Sequence, residues 1–256
     1  MDAYAPAEIA RLIEAVGVAK SRLSTQRTLM LGVLAGAFIA FGACLFIVVT
    51  TESQLGYGPT RLLGGLAFSV GLILTIVGGA ELFTGNSLIV MAWADRKVST
   101  RALLRNWGLV FCANFVGAAA TAAAIAWSGA LSANPAVVAT AIRIAEAKIA
   151  IDPSGAFLRG VLCNVLVCLA VWLCFAARTV TDRVLAIPLP IAAFVAMGFE
   201  HSIANMFFLP LGYLLGSDKI DLGGVLGNLV PVTLGNMVGG GVLVAGVYWA
   251  IYLREE

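Results

Sequence analysis

The stretch from Gly198 to Pro210, GFEHSIANMFFLP, contains the only histidine of this 256-residue chain. Glu200 and His201 are neighbours there, and Asn205 follows about one helical turn later, inside an otherwise apolar run. An ionisable side chain in such a run is expensive to bury and is therefore a candidate functional residue. Burial and a nearby anion act on the charge of an imidazole in opposite directions. His201 can thus give a proton to a weak-acid anion or stabilise that anion electrostatically.

The composition places these polar residues in a membrane protein. The chain is 61% hydrophobic and only 12% charged, and several apolar runs reach the roughly 20 residues needed to span a bilayer. The formal net charge of +2 provides no basic patch for nucleic acid. The five cysteines all fall in apolar runs without metal-ligand spacing, so we predict small core residues, with no metal site and no cofactor.

The apolar runs predict an all-α polytopic protein with six transmembrane helices in one domain, residues 29–253. The predicted segments are 29–50, 62–94, 107–127, 155–177, 185–216 and 223–253. The second is interrupted near 81–86 and the fifth at the opening motif. A long amphipathic connection, 129–154, joins the third and fourth. Residues 1–28 have apolar side chains at helical spacing and predict an amphipathic leader lying on the membrane surface.

Positive charge gives an orientation for these segments. Six spans put both termini on one side, and eleven of the 16 lysines and arginines fall on that side. The positive-inside rule therefore predicts that both termini are cytoplasmic.

The two interrupted segments resemble each other. GGAELFTGNSL and MGFEHSIANMF both place Glu five residues before Asn, as Glu81 with Asn86 and Glu200 with Asn205. The segments that follow share an Asn-x7-Asn-x2-Gly pattern that begins at Asn106 and at Asn228. Chance similarity among Gly- and Ala-rich helices is the alternative, but buried Asn and Glu seldom recur in register by accident. We therefore predict two three-helix repeats, about 29–128 and 155–253, and an odd number of spans makes the second inverted.

A helix interrupted in lipid leaves backbone groups without partners, at several kcal/mol each. We expect Glu81, Asn86, Glu200 and Asn205 to support the breaks mainly as structural residues, by accepting hydrogen bonds from the free backbone amides. The two breaks should meet near the membrane midplane, where the positive ends of half-helices favour an anion.

Four motifs resemble the formate/nitrite transporter family across nearly the whole chain. They are ELFTGN at 81–86, LCN at 162–164, GFEHSIANM at 198–206 and NLVPVTLGN at 228–236. The resemblance implies a homopentamer with an aquaporin-like fold and one pore per protomer. It also implies passage of small monovalent anions across a bacterial inner membrane.

The resemblance implies a substrate pore formed by His201, Thr84, Lys148 and Asn164. His201 matches the family's central pore histidine, Thr84 the loop hydroxyl facing it, and Lys148 a vestibule lysine. A lone cation on a non-cytoplasmic approach attracts anions. The amide of Asn164 can donate to the same anion. Structural alternatives stay open: a core histidine, a loop cap for Thr84, a solvated charge for Lys148, and an interhelical hydrogen bond for Asn164.

Apolar rings of the family's two constrictions are implied at six positions. Each of these residues taken alone is equally a core residue, and an apolar ring would exclude hydrated ions. The positions are Phe68, Leu72, Leu82, Phe83, Val167 and Phe194.

The sequence favours an anion channel or proton-coupled transporter, with formate first because Pro231–Thr233 and Gly239–Gly241 look closest to the formate branch. Nitrite, hydrosulfide, bicarbonate and short monocarboxylates remain open. A neutral-solute channel of the aquaporin type lacks its paired Asn-Pro-Ala motif here. An intramembrane enzyme is disfavoured, because Ser202 is merely the neighbour of His201 and a single histidine supplies too few haem ligands.

Overall fold

The long apolar runs form long helices, since a backbone in an apolar environment must satisfy its hydrogen bonds internally. The computed structural model describes residues 3–254, and these residues contain no strand. Five helical segments are long and apolar enough to cross a membrane. They are α2 (Thr25–Thr50), α3 (Tyr57–Gly78), α5 (Thr100–Ser128), α7 (Pro153–Ala176) and the C-terminal run Leu222–Tyr252.

The C-terminal run combines three helical pieces. α11 (Leu222–Met237) continues into a π-helix, Val238–Gly246, and then into α12 (Val247–Tyr252). The π-helical piece begins at the Gly239–Gly241 run, and no sequence pattern predicted it. π-helical insertions are uncommon and often lie beside functional sites.

Both predicted interruptions are present. After α3 the chain leaves helical geometry, forms a 3₁₀ turn at Gly85–Ile89 and continues as α4 (Val90–Ala94). The predicted fifth segment, 185–216, consists of shorter pieces: α8 (Val180–Ala186), α9 (Pro188–Ala196) and α10 (Ser202–Leu214). It accordingly contributes no single helix of spanning length.

Polar caps set several helix starts beyond the apolar runs. The Ser99 side chain accepts a hydrogen bond from the Ala102 amide, so α5 begins seven residues before the predicted boundary. Asp152 and Asp221 cap α7 and α11 in the same way. The amphipathic connection contains α6 (Pro135–Ile149), which begins at Pro135 as a first-turn proline can.

The leader helix α1 (Pro6–Ser21) packs against the rest of the protein. It buries Ile9, Ala10 and Ile13 in a cluster with Leu88 and Met91, and its place on the membrane surface stays a prediction. The apolar stripe of α1 that predicted contact with lipid packs against an apolar surface of the protein next to the first break. Burying that stripe removes its side chains from water as effectively as lipid would.

The remaining helices enclose one large core. α2 packs along α3 and α5, α7 packs along α11, and α3 contacts α9. Many large apolar side chains point outwards and stay exposed on the single chain, for example Phe41, Leu104 and Leu189. Outward apolar faces are expected of helices that contact lipid or other subunits.

Candidate functional site

Each broken segment turns on a glycine two residues before its glutamate. Gly79 has φ +79° and Gly198 has φ +75°, in the left-handed region that favours glycine. These residues end α3 and α9, and they direct the chain into Glu81 and Glu200. The two breaks therefore start with the same backbone geometry.

Asn114 satisfies the backbone of the first break. Its Oδ1 accepts from the Phe83 amide at 2.9 Å, and its Nδ2 donates to the Glu81 and Gly32 carbonyls at 2.9 and 2.8 Å. The side chain is fully buried. One amide from α5 therefore partners three backbone groups, two of them within the interrupted segment.

Asn236 does the same in the second break. Its Oδ1 accepts from the Ser202 amide at 2.9 Å, and its Nδ2 donates to the Glu200 and Gly160 carbonyls at 3.0 and 2.8 Å. The glutamates were expected to take the free backbone amides, and that expectation is wrong. These amides are bonded by the asparagines of the following helices, because only a side chain with both a donor and an acceptor can partner N–H and C=O groups at once.

The glutamates instead form buried side-chain networks. In the first break, Glu81 accepts from Lys20 Nζ at 2.7 Å and from Asn86 Nδ2 at 2.6 Å. Asn86 also donates to Asn106 Oδ1 at 3.0 Å, and its own Oδ1 accepts from Lys20. Each buried carboxylate oxygen thus has a charged or polar donor, which offsets the cost of removing it from water.

The second break repeats this network. Glu200 accepts from Lys148 Nζ at 2.9 and 3.1 Å and from Asn205 Nδ2 at 2.7 Å. Asn205 donates to Asn228 Oδ1 at 2.7 Å, and Asn228 donates to the Lys148 carbonyl at 2.9 Å. Lys148 was expected to be a lone cation, and this is wrong because its ammonium forms an ion pair with Glu200.

Sequence reasoning missed Lys20 as a site residue. It was counted only as a leader charge, yet it occupies in the first network the place of Lys148 in the second. The signal was present, since Lys20 and Lys148 are separated by 128 residues, the same distance as Gly32 and Gly160.

At the centre, Thr84 meets His201. Thr84 Oγ1 lies 2.9 Å from His201 Nε2, and both side chains are buried. The Ala204 amide donates to His201 Nδ1 at 3.1 Å, so His201 is also the N-cap of α10. A nitrogen that accepts from an amide carries no hydrogen, which places the proton of the neutral ring on Nε2. Nε2 then donates to Thr84 and leaves the threonine hydroxyl hydrogen free to bind an acceptor.

The amide of Asn164 bonds to the protein. Its Nδ2 donates to the Asn236 carbonyl at 2.7 Å, and to the Thr84 carbonyl and Ser87 Oγ at 3.2 Å each. The Cys168 thiol also donates to the Thr84 carbonyl at 3.4 Å. These contacts hold the Thr84 loop in place and use the amide hydrogens within the protein, so the interhelical alternative for Asn164 is the one the contacts favour. Asn164 Oδ1 has no partner within residues 3–254.

Two cavities flank this centre, and we name them after their lysines. The Lys20 vestibule has a volume of about 250 Å³ and is lined by Glu81, Leu82 and Arg183, among others. The Lys148 vestibule has a volume of about 200 Å³ and is lined by His201 and Glu200, among others. The Thr84–His201 contact therefore joins a side chain lining one vestibule to the loop lining the other.

Four of the six predicted constriction residues line these cavities. Leu72 and Leu82 line the Lys20 vestibule, whereas Phe68 and Phe194 line the Lys148 vestibule and pack edge to face at 5.8 Å. The other two line neither cavity. Phe83 packs against Trp107 and Phe111, and Val167 is a buried core residue of α7.

A further ionic cluster attaches the leader outside the broken segments. Glu14 of α1 is buried and bonds Lys97 at 2.6 Å, and Lys97 also pairs with Asp95 at 2.9 Å. Burial raises the pKa of the Glu14 carboxyl, with hydrogen bonding to Lys97 acting in the opposite direction. The leader is thus attached in part through the Glu14 carboxylate, although burial of this charge is unfavourable.

Comparison with known proteins identifies the lineage. A sequence profile described as formate/nitrite transporter matches residues 7–250. The chain belongs to the formate/nitrite transporter family. It is 37% identical to the formate channel FocA of Escherichia coli K12, over 100% of this chain and 96% of the relative. It is 40% identical to a probable formate transporter of Methanothermobacter thermautotrophicus, over 98% and 97% respectively.

A solved structure of the same family superposes on the chain. A pentameric formate channel with formate bound matches with a TM-score of 0.83 and 39% sequence identity, covering 90% of this chain and 98% of that one. The all-helical fold is thus that of formate/nitrite transporter channels. These relatives are transport proteins, not enzymes.

Proposed function

We propose that this protein is a membrane channel for small monovalent anions, with formate as the preferred cargo. The observation that carries the proposal is the pairing of two lysine-bearing vestibules around the buried Thr84–His201 contact. Each vestibule is also lined by arginine, Arg183 in one and Arg61 and Arg159 in the other, so basic side chains at both entrances attract an anion. The polar pair between apolar side chains then offers that anion a hydrogen-bonding site. The formate channels among its relatives support formate over other anions of similar size.

The pore would run from one vestibule to the other past Leu82 and Phe194. A bare anion in such apolar surroundings pays a large desolvation penalty unless it is paired or neutralised. The free hydroxyl hydrogen of Thr84 supplies a donor at this point, and neutral His201 holds that hydroxyl in place. Proton donation by His201 would first require protonation of Nδ1 and loss of the Ala204 bond. The geometry therefore favours stabilisation of the anion through Thr84 over direct proton donation from the ring.

The architecture we propose is six spans in two inverted three-helix repeats, with an aquaporin-like pore in each protomer. The matched networks of Glu81 and Glu200 and the matched hubs Asn114 and Asn236 support the repeat. α9 and α10 together would form the fifth span. We propose a homopentamer in a bacterial inner membrane, because the outward apolar faces need a cover and the formate-bound relative is pentameric.

We place both termini on the cytoplasmic side. Lys97 holds the leader to the loop after α4, and Trp249 near the C-terminus donates to Asp95 in the same loop. The leader, the C-terminal end and the basic loop after α4 therefore lie on one face, and the positive-inside rule assigns such a basic face to the cytoplasm.

The test is flux into proteoliposomes with formate, nitrite, hydrosulfide and bicarbonate compared in parallel, at an inward proton gradient and without one. We expect saturable formate flux that exceeds the flux of the other anions. Acceleration by the proton gradient would indicate proton-coupled transport, and equal rates would indicate a channel. Absence of flux for all four anions from a correctly assembled protein would refute the function.

A further inference from the structure

Arg61 lies near the start of α3 and reaches across the Lys148 vestibule to the end of α9. Its Nε donates to the Ala196 carbonyl at 3.4 Å, and its Nη2 donates to the Val195 carbonyl. These carbonyls belong to the last turn of α9, where carbonyls have no i+4 partner, and that of Val195 also accepts from the Gly198 amide at 3.2 Å. The guanidinium is therefore held in one place by neutral groups.

An aromatic pair supports two of the three basic side chains that line this vestibule in the described part of the chain, Arg61 and Lys148. The Arg61 guanidinium lies 5.6 Å from the centroid of Phe46, and Lys148 Nζ lies 5.2 Å from that of Phe208. The two rings contact each other edge to face at 6.2 Å. An aromatic face stabilises a partly desolvated cation without cancelling its charge.

The two cations differ in what remains available to a ligand. Lys148 is bonded to both oxygens of Glu200, whereas Arg61 makes no ion pair within residues 3–254. A guanidinium has five N–H donors, and carbonyls take two of those of Arg61. The Nη1 hydrogens and one Nη2 hydrogen lack protein partners in this part of the chain, and together they form a planar edge that matches a carboxylate.

We propose that Arg61 is the anion-docking residue of the Lys148 vestibule. It binds a small carboxylate through its free edge before the anion reaches Lys148, Glu200 and His201. The inference rests on the proposed function and deepens it, because it names the residue that captures the cargo. Arg159 also lines this vestibule and adds positive charge, but no contact of its guanidinium fixes it within residues 3–254.

The experiment measures initial formate uptake into proteoliposomes against formate concentration, at low and high ionic strength. Arg61→Gln should raise the half-saturating concentration about tenfold, with a maximal rate within about twofold of wild type. It should also weaken the salt dependence of uptake, because the unpaired charge that salt screens is gone. Arg61→Lys should restore the salt dependence but only part of the affinity, since an ammonium lacks the planar fork.

Arg143→Gln is the matched control. Arg143 lies exposed on α6, lines neither vestibule and carries the same charge, so wild-type half-saturation is expected. Size-exclusion profiles and thermal unfolding establish that each variant is assembled. If Arg61→Gln does not assemble, the inference is judged on Arg61→Lys. That variant should have a half-saturating formate concentration about threefold above wild type and a salt dependence equal to wild type.

Several outcomes would overturn the inference. Unchanged half-saturation in Arg61→Gln, or in Arg61→Lys when that variant decides, removes Arg61 from anion capture. If the half-saturating concentration rises as much in Arg143→Gln as in Arg61→Gln, positive charge acts nonspecifically and Arg61 is not a docking residue. An equal loss of maximal rate in both Arg61 variants with unchanged half-saturation leaves Arg61 only as a cap of α9. If wild type carries no formate, the assay uses the anion it carries fastest, and if it carries none, the proposed function and this inference fail together.

Discussion

The break after α3 and the break after α9 share the main contacts of their scaffold, but their central side chains differ. Each has a left-handed glycine, a glutamate bonded to a lysine and an asparagine, and a second asparagine partnering the backbone. At the centre, Leu82 occupies the place of His201, and Ile203 that of Thr84. The repeated residues therefore hold the two breaks, whereas the unmatched Thr84–His201 pair is the part that we propose to meet the anion.

The largest expected effect tests whether the two scaffolds are equivalent. Asn114→Leu and Asn236→Leu each leave one buried amide and one carbonyl of an interrupted segment without that partner, at about 1–3 kcal/mol per group. We expect each variant to lose at least about 3 kcal/mol of unfolding free energy, or to fail to assemble, as judged by thermal unfolding and size exclusion. Asn134→Ala, which removes an exposed cap of α6, should lose only about 1 kcal/mol. A large loss in one hub variant alone would contradict the equivalence.

A second prediction separates the support role of Lys148 from its capture role. Lys148→Gln leaves the Glu200 carboxylate buried without its cation and should cost about 3 kcal/mol of stability. It should also reduce uptake at low anion concentration. The double variant Lys148→Gln/Glu200→Gln should recover most of the stability but not the uptake. If low-concentration uptake returns in the double variant, Lys148 does not capture anions.

The asymmetric centre gives the third prediction. His201→Asn can still cap α10, but its shorter side chain cannot reach Thr84. We expect an assembled protein with about tenfold lower flux, or about 1.4 kcal/mol in the barrier, and an altered pH dependence. Flux and pH profile equal to wild type between roughly pH 5 and 8, where histidine normally titrates, would exclude a role in conduction. Thr84→Val, which removes only the hydroxyl, should lower flux to a similar extent.

The smallest effect concerns the leader, which carries the lysine of the first network as α6 carries that of the second. The pKa of Glu14 is raised in the docked state, so docking is strengthened below that pKa and weakens as pH rises through it. This pH window lies above the ordinary pKa of a glutamate. Lys97 and Asp95 are both charged throughout it, because the pKa of Lys97 is raised and that of Asp95 is lowered. Glu14→Gln should flatten this dependence. Amide hydrogen exchange of residues 6–21 against pH, corrected for intrinsic exchange rates, measures how firmly the leader is docked. A pH dependence in Glu14→Gln equal to that of wild type would contradict a role for Glu14 in it.

Much of the fold could be predicted because the bilayer imposes length and composition on every span. The long helices follow the apolar runs, and the breaks fall at the repeated Glu and Asn residues, since polar groups in such runs must meet one another. Thr84 and His201 were expected together and are bonded. Helix ends were less predictable, because caps such as Ser99 extend a helix beyond its apolar part.

The sequence by itself therefore determined the all-helical class, the positions of the breaks and the identity of the unmatched histidine. Only the tertiary structure decided which polar atoms are partners. It assigned the broken backbone to Asn114 and Asn236, brought Lys20 from the leader to Glu81, and set Arg61 against the end of α9. The physical reason is that these bonds join residues 31 to 135 positions apart in the chain. Local patterns report periodicity and burial, whereas the choice among several buried donors depends on how the helices pack.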